Sequence, residues 1–579
     1  MSLQHPSLES RRSFFRLALL VLGIVFVGVY LLPLGVRPLV VPDEARYGVI
    51  PAEMIETGDW IVPHLVGIRY FEKPALGYWM TAVSFLGFGE NAFSLRLPSA
   101  MMSGFSIVLL MLFVRRWTSR WDLAALSGLV LATCLEPAIL GTTAVLDAPF
   151  SATVTATIVC FYFGWRSVGS ARFGWLVAAG VACGAAFLIK GFLAMALPAM
   201  VLAPWLMWQG RWRDMFVLPW VPAVAAILTA LPWSLAVHWQ SAEYWDYFFW
   251  IEHVHRFTGG SEAQHPEPWW FFVPIIFTGL IPWVFAAPLA LAGLLRRGFG
   301  SPESRLLVCW LLIPLAFFSV SSGKLPTYIL PCFPAAAAMI AVGLVERFNY
   351  VGPKRTFGSL VLGGILILLG LVAVVSTPFI PVVAQDGGIW QDGGVWRLAI
   401  VGIALVFWGL ADWVSQRTDD GRGRVLLGGV GTAALFAVIP LMMPTGWMEI
   451  SKAPIAWMRP YTSLAQQSTV LAGRDFVHAA KWVWPRSDVR LFGDPGEMRW
   501  GVENFAEHAE SHVSEQEFAQ VVQQATVAHP VVLLSTSPDR RLKWIAEMID
   551  RGEVAQPQIV TDRDVILAVW PKSSLPARE

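Results

Sequence analysis

Apolar runs long enough to cross a bilayer recur along this chain of 579 residues down to about residue 443. No other feature restricts the fold as strongly. Hydrophobic residues make up 56% of the sequence and charged residues only 14%, against about 25% charged in a typical soluble domain. One aqueous core cannot bury so much apolar sequence. About thirteen spans are predicted, near 14–34, 97–114, 122–140, 149–165, 174–190, 192–209, 216–237, 271–295, 304–320, 326–345, 357–377, 397–415 and 425–443. The first follows Arg11, Arg12 and Arg16. It is too long for a typical signal-peptide core and lacks a small-residue cleavage site after it, so it reads as a retained helix.

The connections between spans alternate in character. One set is short and basic: Arg115–Arg116–Arg120, Arg166–Arg172, Arg211–Arg213, Arg296–Arg297–Arg305, Arg347–Lys354–Arg355 and Arg417–Arg422–Arg424. The positive-inside rule assigns these to the cytoplasm. The other set, 35–96, 141–148, 238–270, 321–326 and 378–396, is then extracytoplasmic. After Met443 the composition turns polar. Glu515–Ala525 predicts an amphipathic helix, and Val531–Leu534 and Val565–Val569 predict buried strands. The expected fold is therefore an all-α polytopic membrane bundle (1–443) with juxtamembrane helices from the loops 35–96 and 238–270, and a soluble α/β domain (444–579) on the outer side. A net charge of +1 leaves no basic excess for a nucleic-acid partner. Cys134, Cys160, Cys183, Cys309 and Cys332 all lie in apolar stretches without metal-ligand spacing and read as buried hydrophobes.

Ionisable groups at the mouths of membrane helices are costly and mark candidate sites. They gather in the outer set. Pro42-Asp43-Glu44-Ala45-Arg46-Tyr47 opens the first loop, and Arg69-Tyr70-Phe71-Glu72-Lys73-Pro74 continues it. Asp147 and Lys190 end spans, Lys324 sits in Gly323-Lys324-Leu325-Pro326-Thr327-Tyr328, and the loop 238–270 carries His253, His255, Arg256 and His265. Lysines and arginines could simply snorkel to lipid head groups, and the histidines could be ordinary loop residues. Trp269-Trp270 reads as an interfacial anchor. Asp147 resists the bland reading, because a carboxylate gains nothing from a phosphate surface. Acids and bases converging on one membrane face suit a substrate with an anionic phosphate and a polar sugar: cations hold phosphate oxygens and carboxylates position the reacting groups. A transporter of lipid-linked sugars would instead place ionisable groups near mid-bilayer or on both sides.

The stretches PDEARYGVIPAEM, TGDWIVPHLVGIRYFEKPALGYW, VLDAPF, LIKGFLA, YFFWIEHVHRF, QHPEPWW and GKLPTYILPCFP, in that order, resemble the lipid A 4-amino-4-deoxy-L-arabinose transferases, relatives of the protein O-mannosyltransferases among the GT-C glycosyltransferases. In the C-terminal domain the resemblance rests on Gly496-Glu497-Met498-Arg499-Trp500-Gly501. It implies a donor of undecaprenyl phosphate bearing aminoarabinose, a lipid A phosphate as acceptor, and resistance to polymyxin and cationic antimicrobial peptides. It implies a multi-pass protein of the bacterial inner membrane with its active site and C-terminal domain in the periplasm. Asp43, Asp147 and Lys73 would be catalytic. Arg46, Tyr47, Arg69, Tyr70, Glu72, Lys190, Arg256, His265, Lys324 and Tyr328 would bind substrate. A phosphate-monoester acceptor is largely ionised at neutral pH, its second pKa being about 6. Asp43 and Asp147 are therefore expected to position substrate or hold the sugar ammonium more than to remove a proton. With a serine or threonine acceptor, as in protein O-mannosylation, Asp43 would be the base. No cofactor is called for with certainty. A divalent ion on His253 and Glu497 would be structural, and metal use stays open at this point.

Overall fold

The computed structural model describes residues 8–255, 266–351, 357–379, 394, 396–418, 420–442, 452–485, 488–562 and 564–572. The chain forms two compact units. One comprises Met1–Val36, Arg96–Ile380 and Val395–Met442, the other Arg37–Leu95, Pro381–Gly394 and Met443–Glu579. The first outer loop thus belongs to the same unit as the polar C-terminal quarter.

The first unit is helical. Among the described residues ten of its helices are long and apolar enough to span a membrane, and twelve spans result if each of two bent pairs is one span. All thirteen predicted stretches fall on helices. The bent pairs, Trp121–Ala132 with Leu135–Gly141 (71°) and Phe272–Gly279 with Trp283–Arg297 (94°), occupy the predicted spans 122–140 and 271–295. The predicted span 192–209 is the helix Leu193–Trp208, 16 residues with prolines at 198 and 204. At 1.5 Å per residue it reaches about 24 Å, short of a hydrocarbon core of about 30 Å. Small residues let the helices approach closely: a side chain on Gly293 would come within 1.9 Å of the Gly343 carbonyl oxygen. Four of the five cysteines are buried and Cys183 is half-buried.

The short basic connections converge at one end of this unit. Arg120 and Arg422 both bind Asp122, at 2.6 and 3.2 Å. The Trp117 indole donates to Ser301 at 3.3 Å, and Arg297 lies 4.9 Å from the Trp117 ring centre while pairing with Glu346 at 2.7 Å. Arg305 donates to the Trp208 carbonyl at 3.0 Å, and Trp165 to Asp214 at 3.0 Å. All six basic connections are joined by these contacts, as the charge pattern requires of loops on one membrane face.

The second unit is α/β. Between its first and last parts, the backbone N–H of Val41 donates to Lys452 O at 2.7 Å. Residues 43–95 supply the helices Asp43–Thr57 and Leu76–Phe88. The hairpin β1 (His64–Leu65) and β2 (Ile68–Arg69) lies between them, where only helices were expected. Its turn residues Val66 and Gly67 both have positive φ, 58° and 73°, as a two-residue hairpin turn demands. The C-terminal part contributes β3 (Thr469–Gly473), β4 (Arg490–Phe492), β5 (His512–Val513), β6 (Val531–Thr536), β7 (Gln558–Asp562) and β8 (Val565–Trp570) in the order β5-β4-β3-β6-β8-β7. The first four strands run parallel, and β8 and β7 add antiparallel. Every residue of β8 is buried, which explains its unbroken apolar run. The two predicted strands are β6 and β8. The predicted amphipathic helix is the shorter Phe518–Gln523.

Candidate active site

In the helical unit, Asp147 is the first residue of the helix Asp147–Arg166 and Lys190 the last of Gly169–Lys190. An acid at a helix start and a base at a helix end each suit the helix dipole. Their side chains meet at 2.6 Å, 12% and 13% exposed. The Lys190 ammonium also lies 5.6 Å from the Phe150 ring centre and 5.4 Å from that of Tyr328, a cation held by one carboxylate and two aromatic faces. The turn after Lys190 is tight. Gly191 has φ +77°, and a side chain there would sit 2.5 Å from Phe248 and 2.7 Å from His253 Nε2. His253 Nδ1 is 2.6 Å from the Phe248 carbonyl, and its ring packs on Phe192 and Phe248. Lys324 is buried and donates to the carbonyls of Glu267, at 2.7 Å, and Ser321. Backbone oxygens thus already engage the ammonium that the sequence suggested for phosphate. Arg256 and His265 lie outside the described residues.

In the α/β unit, Asp43 opens the helix Asp43–Thr57 and projects its carboxylate outward, 62% exposed, 3.6 Å from Arg46. The Arg46 guanidinium is pinned from the other side by Glu497 at 3.0 Å and donates to the Tyr70 hydroxyl at 3.4 Å. Tyr70 in turn donates to Glu497 at 3.4 Å, and His478 Nε2 lies 3.5 Å from the other carboxylate oxygen. Burial opposes ionisation of Glu497, but Arg46, His478 and Tyr70 outweigh it and hold the carboxyl below its ordinary range. Burial pushes the Tyr70 phenol up, which keeps it a donor, and lowers His478, which is therefore neutral at neutral pH. Glu72 is buried beside Lys73, whose ammonium donates to the Glu72 carbonyl at 3.1 Å and lies 4.0 Å from its carboxylate. Tyr47 stacks on Tyr78.

Arg69 anchors the hairpin. It pairs with Glu507 at 2.9 Å and lies 4.5 Å from the Phe505 ring centre. Glu44, a motif residue given no role from sequence, is fully buried. It takes two hydrogen bonds from Arg37 (2.7 and 2.9 Å) and one from the Val40 N–H (3.0 Å). His478 lies in a seven-residue helix with no motif around it, so no sequence signal pointed to it. Glu497, suggested as a metal ligand, is bound by the Arg46 guanidinium, the His478 imidazole and the Tyr70 phenol. Among the described residues no group of three or more His, Cys, Asp or Glu is placed to hold a metal ion.

The family model described as dolichyl-phosphate-mannose-protein mannosyltransferase matches residues 16–248, and the one for the arabinosyl transferase ArnT C-terminal domain matches residues 450–558. A curated undecaprenyl phosphate-α-4-amino-4-deoxy-L-arabinose arabinosyl transferase of Aeromonas hydrophila is 35% identical over 519 residues, 89% of this chain and 93% of its own. The chain belongs to this arabinosyl transferase family. A family member from Pseudomonas savastanoi pv. phaseolicola is likewise 35% identical, over 82% of this chain and 88% of its own. The crystal structure of ArnT from Cupriavidus metallidurans bound to undecaprenyl phosphate superposes with a TM-score of 0.79 at 22% identity, covering 97% of this chain and 99% of that one. The arabinosyl transferase fold is therefore shared over nearly the whole chain.

Proposed function

We propose that this multi-pass membrane glycosyltransferase moves 4-amino-4-deoxy-L-arabinose from undecaprenyl phosphate to a phosphate of lipid A, on the periplasmic face of a bacterial inner membrane. The consequence is a less anionic lipid surface and resistance to polymyxin and other cationic peptides. The observation that carries the donor half of this reading is the 35% identity to the arabinosyl transferases over 89% of the chain. The acceptor and the orientation are supported by chemistry and by the segregation of basic connections to one end of the helical unit, away from Asp147 and Lys190.

The bond between the sugar's anomeric carbon and the carrier phosphate breaks, and a bond from that carbon to a lipid A phosphate oxygen forms. The acceptor loses one negative charge and the departing undecaprenyl phosphate gains one, so no proton needs to be moved. The residues' task is electrostatic. Lys190 and Lys73 stabilise phosphate charge, Arg46 is fixed as a rigid cation, and Asp43 and Asp147 orient cations and sugar. No cofactor takes part in this scheme. A divalent ion, where bound, acts on stability: chelation is expected to leave turnover unchanged and to move only the melting temperature.

The test is an assay of purified enzyme with undecaprenyl-phosphate-aminoarabinose and a lipid A precursor, read by mass spectrometry, with Asp43→Ala alongside. A pentosamine mass added to lipid A by wild type alone supports the proposal. An intact donor and unmodified lipid A would overturn it. Peptides would then be tried as acceptors, a protein-directed activity like that named in the mannosyltransferase family model.

A further inference from the structure

The carboxyl ends of the parallel strands frame a crevice in the α/β unit that has no role in the scheme above. Gly473 at the end of β3, Phe492 at the end of β4 and Ser535 near the end of β6 all line it. The chain leaves β3 towards β4, and leaves β6 towards β7 and β8 on the opposite side. Such a reversal opens a gap beyond the carboxyl edge, where open α/β sheets take their ligands. Alternation along β6 puts Ser535 on the same face as Val531 and Leu533, which belong to the apolar core. At Ser535 that apolar row gives way to polar side chains. Arg474, Asp494, Glu515, Arg540 and Arg541 help enclose a cavity of about 290 Å³ there.

Most charges in this cavity already have a partner. Arg474 pairs with Asp494 at 2.7 Å, and Arg541 with Glu515 at 3.1 Å. Arg541 also lies 4.9 and 4.8 Å from the ring centres of Phe492 and Trp544, which fixes that wall. Arg540 pairs with no acid among the described residues. Ser535 is 3% exposed, and its hydroxyl has no hydrogen-bond partner among the described residues. A buried hydroxyl in that state is uncommon and asks for a ligand or water. The helix Pro538–Asp550 starts at the same place, and Ser537 in its cap position makes no side-chain cap bond. The first-turn N–H groups have no partner within the helix and carry the positive end of its dipole. One guanidinium, one hydroxyl and one helix N-terminus are thus left over, the donor set of a phosphate site. At ~30 Å³ per water the cavity has room for about ten waters, more than a lone phosphate group fills. The Glu515 oxygen that Arg541 does not engage can accept from a sugar hydroxyl in the remaining space.

We infer that this crevice binds a phosphorylated sugar, with the phosphate held by Arg540, Ser535 and the helix N-terminus. The binding is separate from the arabinosyl transfer proposed above and is tested without it. Full-length wild type, R540A and S535A in nanodiscs are titrated calorimetrically with glucose 1-phosphate, inorganic phosphate and glucose. Wild type is expected to bind glucose 1-phosphate more tightly than inorganic phosphate and to ignore glucose. Each substitution removes a hydrogen bond to a charged group and is expected to weaken binding of glucose 1-phosphate about tenfold or more. A melting temperature unchanged in the absence of ligand certifies that a variant is folded. Arg540 is exposed, so R540A decides the matter even where S535A unfolds. No binding by wild type, or equal binding by wild type and R540A, would overturn the inference. Inorganic phosphate binding as tightly as glucose 1-phosphate would overturn its sugar half. Competition with lipid A, whose head group is a phosphorylated sugar, separates the two sources of such a ligand. Displacement of bound glucose 1-phosphate supports a membrane-borne head group, and persistence of it supports a soluble sugar phosphate.

Discussion

Lys190 and Asp147, 43 residues apart in sequence, meet at 2.6 Å where two consecutive helices have their mouths. If Lys190 stabilises phosphate charge and Asp147 holds it in place, Lys190→Ala should lower turnover about 10²–10³-fold, as loss of one preorganised electrostatic donor does elsewhere. Asp147→Asn should also be impaired. The double variant should lose less than the sum of the two, because the residues act as one unit. Steady-state kinetics on the three variants checks this. Near-normal turnover in both single variants would remove the pair from the mechanism.

The Arg46–Glu497 pair joins the first and last of the stretches of chain that make up the α/β unit. Its side chains are 13% and 18% exposed. Removing one partner leaves the other charge buried, at a cost of about 3–5 kcal/mol. Glu497→Gln and Arg46→Met should each lower the melting temperature clearly, and the double variant should recover part of the loss. Thermal unfolding in detergent reads the effect.

The same cluster gives the α/β unit a pH dependence of defined sign. The folded-state pKa of Glu497 is depressed, so its contribution is complete above the unfolded value of about 4.3 and is lost as pH falls through the lower folded value. His478 is also lowered, by burial. The preference of the folded state for its neutral form is present above about 6.5 and is lost as pH falls below that. Wild type should therefore melt earlier as pH drops from 7 to 5, and His478→Asn should flatten that slope. An unchanged slope would show that His478 ionises without cost.

Gly501 carries the hairpin. A methyl group there would sit 2.4 Å from Ile68 Cγ2 and 2.6 Å from the Arg69 carbonyl oxygen. Gly501→Ala should destabilise the α/β unit by about 1–3 kcal/mol and displace Arg69 and Tyr70. Limited proteolysis near residue 67 is expected to become faster, with activity falling in step.

The spans and their basic connections were legible because hydropathy and charge are local signals. The bends at residues 132–135 and 279–283 were not, since a broken helix keeps the same apolar run. Of the motif residues, Arg46 pairs with Glu497 and Lys190 with Asp147, and Tyr70 is hydrogen-bonded to both members of the first pair. Partners drawn from motif-free sequence escaped notice: His478 on Glu497, Arg37 on Glu44. Lys324 looked like a phosphate ligand because its side chain is basic. Its neighbours are carbonyl oxygens, and no pattern in the sequence announces that.

The split construction of the α/β unit also has a cost in time. Arg37–Leu95 leaves the ribosome early, but its packing partners, Glu497 and Trp482 among them, follow Met443. At ~5–20 residues per second, the roughly 350 intervening residues take roughly 20–70 s to synthesise. Throughout that interval the segment carries an unmatched Arg46 and an uncovered Gly48 face. The newborn chain must therefore be shielded during its own translation, and a truncation before the C-terminal sheet should be cleared by proteases even though every membrane helix is present.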